Sequence, residues 1–198
     1  MWSQALASGL EGAGVGPWAV DVVEADDALR TAVGLTAPQV RYDGVVWTMD
    51  AAEGDDPAPA WWSALAGVAE LAMAFVTVVH HAWGSFEVAP GVAQISFLRA
   101  AEGWDVPRFR EAYRAHVELA REHMPSVVRY VQHDVTAVHG EGSDGVIAVS
   151  ELRFATRDDV IERYWATPES PAVFRAHEPW LDRRRAWSLF STERVTSL

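Results

Sequence analysis

The sequence predicts an α+β fold made of two fused copies of one β-α-β-β-α-β unit, and three short matches predict it. Asp43-Gly44-Val45-Val46 returns as Asp144-Gly145-Val146-Ile147, and Ala82-Trp83-Gly84-Ser85-Phe86 returns as Ala186-Trp187-Ser188-Leu189-Phe190. Pro17, ahead of the apolar run 18–23, has its counterpart in Pro125, ahead of 127–131. All three recur roughly 100 residues apart, and a fixed spacing of this kind sets the architecture before any single element does.

The second copy is the clearer of the two. Residues 94–99 mix β-branched and aromatic side chains between Gly91 and Gly103, which predicts a strand. Asp105 is a good N-cap and Pro107 is tolerated in a first turn, so a helix opens there and ends near Met124-Pro125. Phe109, Ala112, Tyr113, His116, Leu119 and Ala120 form its apolar face. Residues 127–138 and 146–154 are strands joined by the glycine-rich turn 139–145, a hairpin. Thr156 caps a helix with Asp158 and Asp159 in its first turn, a second helical piece covers 171–181, and 186–195 closes the unit as a strand.

The first copy threads the same way, one element late. Residues 3–10 are its first helix, 18–24 and 45–49 its central strands, 60–74 its second helix and 83–88 its last strand. Residues 71–79, the longest apolar stretch, are expected to be a buried helix end running into a strand. No segment supplies the opening strand, and the connection 26–42 has no assigned element. The expected units are 1–90, a degenerate ferredoxin-like repeat, and 91–198, a complete one.

Composition excludes more than it asserts. A hydrophobic content of 49% with 22% charged residues fits a folded domain, and the net charge of −12 repels nucleic acid and anionic lipid. Cysteine is absent, which removes disulfides, thiolate nucleophiles and cysteine-ligated metals. All 16 basic residues are arginine, so no lysine Schiff base can form. The first ten residues lack a basic start followed by a long apolar run, and the longest apolar stretch is too short to span a bilayer, so a soluble, cytoplasmic protein is expected. Gly12-Ala13-Gly14-Val15-Gly16 lacks the strand and the spacing of a dinucleotide fingerprint, and no metal motif occurs.

Residues 94–195 resemble the EthD family of the dimeric α/β barrel superfamily. The resemblance rests on Phe109-Arg110-Glu111-Ala112-Tyr113-Arg114-Ala115-His116, on the hairpin, on Thr167-Pro168-Glu169-Ser170, and on the pattern around His177, Trp180, Leu181 and Asp182. It implies two such units face to face, their sheets forming a barrel around a small-molecule cavity, so that a fused tandem is a pseudo-dimer in one chain. Relatives in the superfamily include polyketide cyclases, lactone isomerases, cofactor-independent monooxygenases and haem-binding tandems. The first copy lacks the family's helix histidine, since His116 falls on Ser8 and His133 on Ala25.

Candidate catalytic residues are histidines and one tyrosine, because imidazole suits proton transfer near neutral pH. His116 is the first choice, with Tyr113 one turn before it to hold a substrate oxygen; a hydrogen-bonded core histidine and a packing tyrosine are the competing readings. His133 and Tyr130 lie three apart on a strand and face opposite ways, whereas Arg129 shares a face with His133. His177, near Asp182, is either oriented for base work or a favourable helix C-terminal cation. His80-His81 alternate faces and are poor chelators of one metal. Glu151 and Arg153 share a strand face; Arg153 or Arg99 could bind an acidic substrate, or make ordinary salt links. Among ten tryptophans, Trp165 and Trp180, with Tyr130, are candidates to line a cavity for a flat substrate.

With these residues, the resemblance implies an enzyme that cyclises, isomerises or dehydrates a hydrophobic, aromatic or polyketide-like molecule, of the kind made in secondary metabolism. It needs no cofactor and no metal, its partner is its substrate, and it is a monomer by pseudo-dimerisation or a homodimer. A cofactor-independent monooxygenase and a non-catalytic ligand-binding protein are the alternatives. One active site is expected, furnished mainly by the second copy.

Overall fold

The computed structural model describes residues 8, 18–23, 28–35, 42, 44–48, 73–85, 91–139 and 145–196. In the second half, strand β4 (Val92–Leu98) leads to helix α2 (Val106–His123), whose N-cap Asp105 accepts a hydrogen bond from the Arg108 backbone N at 2.9 Å. Strands β5 (Val127–His139) and β6 (Ala148–Phe154) pair antiparallel. Thr156 and Asp159 form a capping box that starts helix α3 (Arg157–Arg163); helix α4 (Ser170–His177) and strand β7 (Trp187–Thr196) follow. These elements match the predicted order, and their strands lie side by side as β7-β4-β6-β5.

The first half contributes strand β1 (Trp18–Val23), helix α1 (Ala28–Val33), strand β2 (Gly44–Thr48) and strand β3 (Ala74–Trp83). These strands join the same sheet at both ends. β1 carries β2 on one side and pairs with β7 on the other, with Val20 opposite Val195. β3 pairs with β5, with Val79 opposite His133. The full order is β2-β1-β7-β4-β6-β5-β3, a seven-stranded antiparallel sheet.

Three expectations for the first half change. A strand expected to begin at Trp83 instead ends there: β3 is Ala74–Trp83 and 86–88 lie outside the described residues, while the run 71–79 is already strand from Ala74 on, with Val78 and Val79 exposed rather than buried. The connection 26–42 contains α1, whose Leu29 is fully buried. Trp83 ends β3 and packs edge-on against Tyr130 on the helix side, whereas Trp187 begins β7 and stacks on Phe97 on the other face, so this pair of the repeat does not occupy equivalent places. The predicted helix 3–10, apart from Ser8, and most of 60–74 lie outside the described residues. After Trp83 the chain turns at Gly84, φ +92°, where a Cβ would sit 2.3 Å from the Val128 carbonyl oxygen; only glycine fits this approach to β5.

The helices cover one face of the sheet. Phe109, Tyr113 and Ala120 of α2, Val160 of α3 and Phe174 of α4 pack on Leu98, Tyr130, Leu152, Phe154 and Phe190. The opposite, concave face carries Ala93, Ile95, Phe97, Val135, Val149 and Leu189. The sheet curls so strongly that side chains meet across this concavity: Phe75 of β3 reaches Phe97 of β4, ring centroids 5.6 Å apart, and Trp47 of β2 reaches His133 of β5 at 4.9 Å. Accumulated strand twist produces such curling.

Candidate functional site

Period-two alternation on β5 and β6 sends Arg129, His133, Glu151 and Arg153 to the concave face, where all four are buried. Asp21 of β1, fully buried, joins them from the first half. One guanidinium nitrogen of Arg153 donates to both oxygens of Asp21, at 2.7 and 2.9 Å, and its Nε donates to Glu151 Oε1 at 2.8 Å. Arg129 donates to the same Glu151 oxygen. The Trp47 indole donates to Asp21 Oδ2 at 2.7 Å and lays its ring against the His133 imidazole.

His133 is 5% exposed. Its Nδ1 lies 3.4 Å from the Thr77 hydroxyl of β3, and its Nε2 lies 3.9 Å from Glu151 Oε2. Among the described residues Nε2 has no hydrogen-bond partner. The concave face thus holds an imidazole aimed at a carboxylate whose other oxygen two arginines restrain. Toward one end of this face, Tyr42, Trp187 and Phe97 form a ladder, with centroids 5.3 and 3.9 Å apart and planes within 19° of parallel.

A second histidine–glutamate pair sits on the opposite face. His116 Nε2 is 3.1 Å from Glu178 Oε1, and both side chains are buried; Arg183 holds the other Glu178 oxygen. Burial pushes the His116 imidazole down to about 4, with the Arg183 charge adding to the shift, and pushes Glu178 up to about 7 against the pull of Arg183. Phe174 and Trp180 meet the imidazole edge-on.

The structure separates the residues the sequence singled out. His116, Tyr113, Tyr130, Trp165 and Trp180 all belong to the layer between helices and sheet. There the Tyr113 hydroxyl donates to the Val149 carbonyl at 3.2 Å, and the Tyr130 hydroxyl accepts from Gln132 at 3.0 Å. Burial raises both phenols, Tyr130 to about 12, so both stay protonated. His177 is exposed on α4 with Nδ1 2.9 Å from the Val173 carbonyl. Arg99 donates to the Arg185 carbonyl at the end of β4, and His80 reaches Asp134, which also binds Arg114 and Arg110. Of the predicted catalytic set, His133 alone faces the concave side.

Sequence reasoning missed Asp21, Trp47 and Thr77. Asp21 had a signal, since an acid in the middle of the apolar strand Trp18–Val23 requires a buried partner. Asp21 and Arg129 also stand at the same spacing as Pro17 and Pro125. No protein-family model matches this chain, and no curated protein matches it in sequence. The candidate function therefore follows from the site's own chemistry.

Proposed function

We propose that this chain is a single-chain α/β barrel enzyme that moves protons on a neutral, flat, hydrophobic small molecule, isomerising, cyclising or dehydrating it, with its own side chains as acid and base. The observation that carries this reading is the buried His133, with Nε2 unpartnered among the described residues and a carboxylate 3.9 Å away. Burying charges costs several kcal/mol per ion, and packed apolar residues would serve stability as well. Ionisable groups in such surroundings are candidates for chemistry.

The strand order supports a tandem. Read as a ring, β7-β4-β6-β5 is one four-stranded unit and β3, a place that no described strand fills, β2 and β1 make the other, so that the first copy's opening strand would fall between the sheet's two ends. A neutral substrate is supported by the cluster: among the described residues Arg129 and Arg153 are both engaged by Glu151 and Asp21 rather than turned to a ligand. The half-buried rings of Tyr42, Trp47 and Trp187 suit a planar apolar molecule.

In this reading His133 Nε2 takes a proton from the carbon next to a carbonyl, and Glu151 stabilises the imidazolium. The same proton returns to another carbon, or to a departing hydroxyl that leaves as water. The proton-transfer role thereby passes from His116 to His133, and His116 serves packing. The test is hydrogen–deuterium exchange of α-tetralone, a neutral aryl ketone, in heavy water. The expected result is catalysed exchange that His133→Gln lowers at least ~100-fold and His116→Gln leaves within about threefold. Equal exchange by wild type and His133→Gln would overturn it.

A further inference from the structure

We infer that Thr77, from the first half of the chain, is the positioning residue that lets His133 gain and lose its Nε2 proton without losing its anchor. The inference rests on His133 being the acid–base group. An imidazole that uses Nε2 as its base keeps a proton on Nδ1 both as the neutral ring and as the imidazolium, so Nδ1 needs an acceptor throughout. A carbonyl at Nδ1 accepts only and selects the Nδ1–H form, as at His177, where the Val173 carbonyl lies 2.9 Å away. A hydroxyl both donates and accepts. Thr77 Oγ1, 3.4 Å from His133 Nδ1, is placed to accept from Nδ1–H and so leave Nε2 bare to act as the base. His123 has a similar partner in Ser170, but its Nε2 faces the exposed Glu122 rather than a buried carboxylate.

Two features place the hydroxyl deliberately. The pairing of β3 with β5 shifts register between Val76 and Thr77, so that Val76 is opposite Ala137 but Thr77 is opposite Val135. Such a bulge re-aims side chains and recurs beside active sites. It turns Thr77 onto the face of His133, while the Thr136 hydroxyl it displaces donates to the Val76 carbonyl at 3.1 Å. Trp47, arriving from the other end of the sheet, lies against the imidazole and holds the ring in place. Both contacts come from the first half, so that half completes the site rather than only walling it.

The experiment compares wild type, Thr77→Ser and Thr77→Val by histidine ring nitrogen NMR on the full chain without ligand, with thermal melts to confirm folding. In wild type and Thr77→Ser, His133 should show a protonated Nδ1 and a bare Nε2. In Thr77→Val the two should exchange, with Nε2 moving to the protonated value beside Glu151 and Nδ1 to the bare one. Exchange of α-tetralone should fall roughly tenfold in Thr77→Val, with its pH profile displaced, and recover in Thr77→Ser. Unchanged ring shifts in a folded Thr77→Val protein would overturn the role of Thr77. Absence of wild-type exchange with reversed shifts in Thr77→Val would overturn the catalytic reading while leaving the anchor in place.

Discussion

His116 with Glu178 and His133 with Glu151 are two buried histidine–glutamate pairs on opposite faces of one sheet, and they differ in what surrounds the carboxylate. Glu178 touches His116 with one oxygen and Arg183 with the other, so the carboxylate is closed off within the helix layer, although His116 Nδ1, like His133 Nε2, has no hydrogen-bond partner among the described residues. Glu151 is gripped on one oxygen by Arg129 and Arg153 and turns the other toward His133 across 3.9 Å. A closed pair holds elements together, and a gapped pair leaves a proton somewhere to go. The face of the sheet, more than the residue types, separates the two roles.

Removing the charge that balances the gapped cluster should have the largest effect. Asp21→Ala leaves Arg153 buried beside one carboxylate fewer and is expected to cost about 3–5 kcal/mol in urea unfolding. Replacing either member of the closed pair should instead unmask a pH dependence. Glu178, raised from 4.5 to about 7, contributes stability below pH 4.5 that is lost as pH rises through 7. His116, lowered from 6.5 to about 4, contributes stability above pH 6.5 that is lost as pH falls through 4. Between pH 4.5 and 6.5 the two slopes oppose and the wild-type melting temperature should be flat. His116→Gln should then lose on the order of 2–3 kcal/mol as pH rises, and Glu178→Gln a similar amount as pH falls, both read by thermal melts.

Smaller changes sharpen the contrast further. Trp47→Phe keeps a ring against His133 but deletes the hydrogen bond to Asp21, and should cost about 1–3 kcal/mol by leaving a buried carboxylate oxygen one donor short. Arg163→Ala removes an exposed partner of Asp159 in α3 and should change the melting point by no more than the equivalent of about 0.5 kcal/mol.

The second half was legible because its signals are local: the Asp105 cap, the Thr156 capping box and strict alternation on β5 and β6. β3 was misplaced because its sequence is apolar without alternation, and only its partner β5, with His133 56 residues beyond Thr77, fixes its extent as a strand. The shared face of Glu151 and Arg153, and of Arg129 and His133, followed from period two. Their joining to Asp21 did not, because β1 and β6 are not neighbours and meet only through the curl of the sheet. His116 misled for a related reason. A helical stripe reports that a face is buried, but not which side of the sheet buries it.

Because β1 hydrogen-bonds to β7, a strand of the first half waits for one made at the far end of the second. β3 likewise waits for β5. Nascent β1 and β2 can pair with each other, but the free edge of β1 and both edges of β3 find no described strand until the second half emerges, an exposure on the order of 10 seconds at ordinary synthesis rates. With Val78 and Val79 bare on β3 even in the finished sheet, this interval is when the chain most needs a chaperone, and pairing across such sequence distances makes its folding slow.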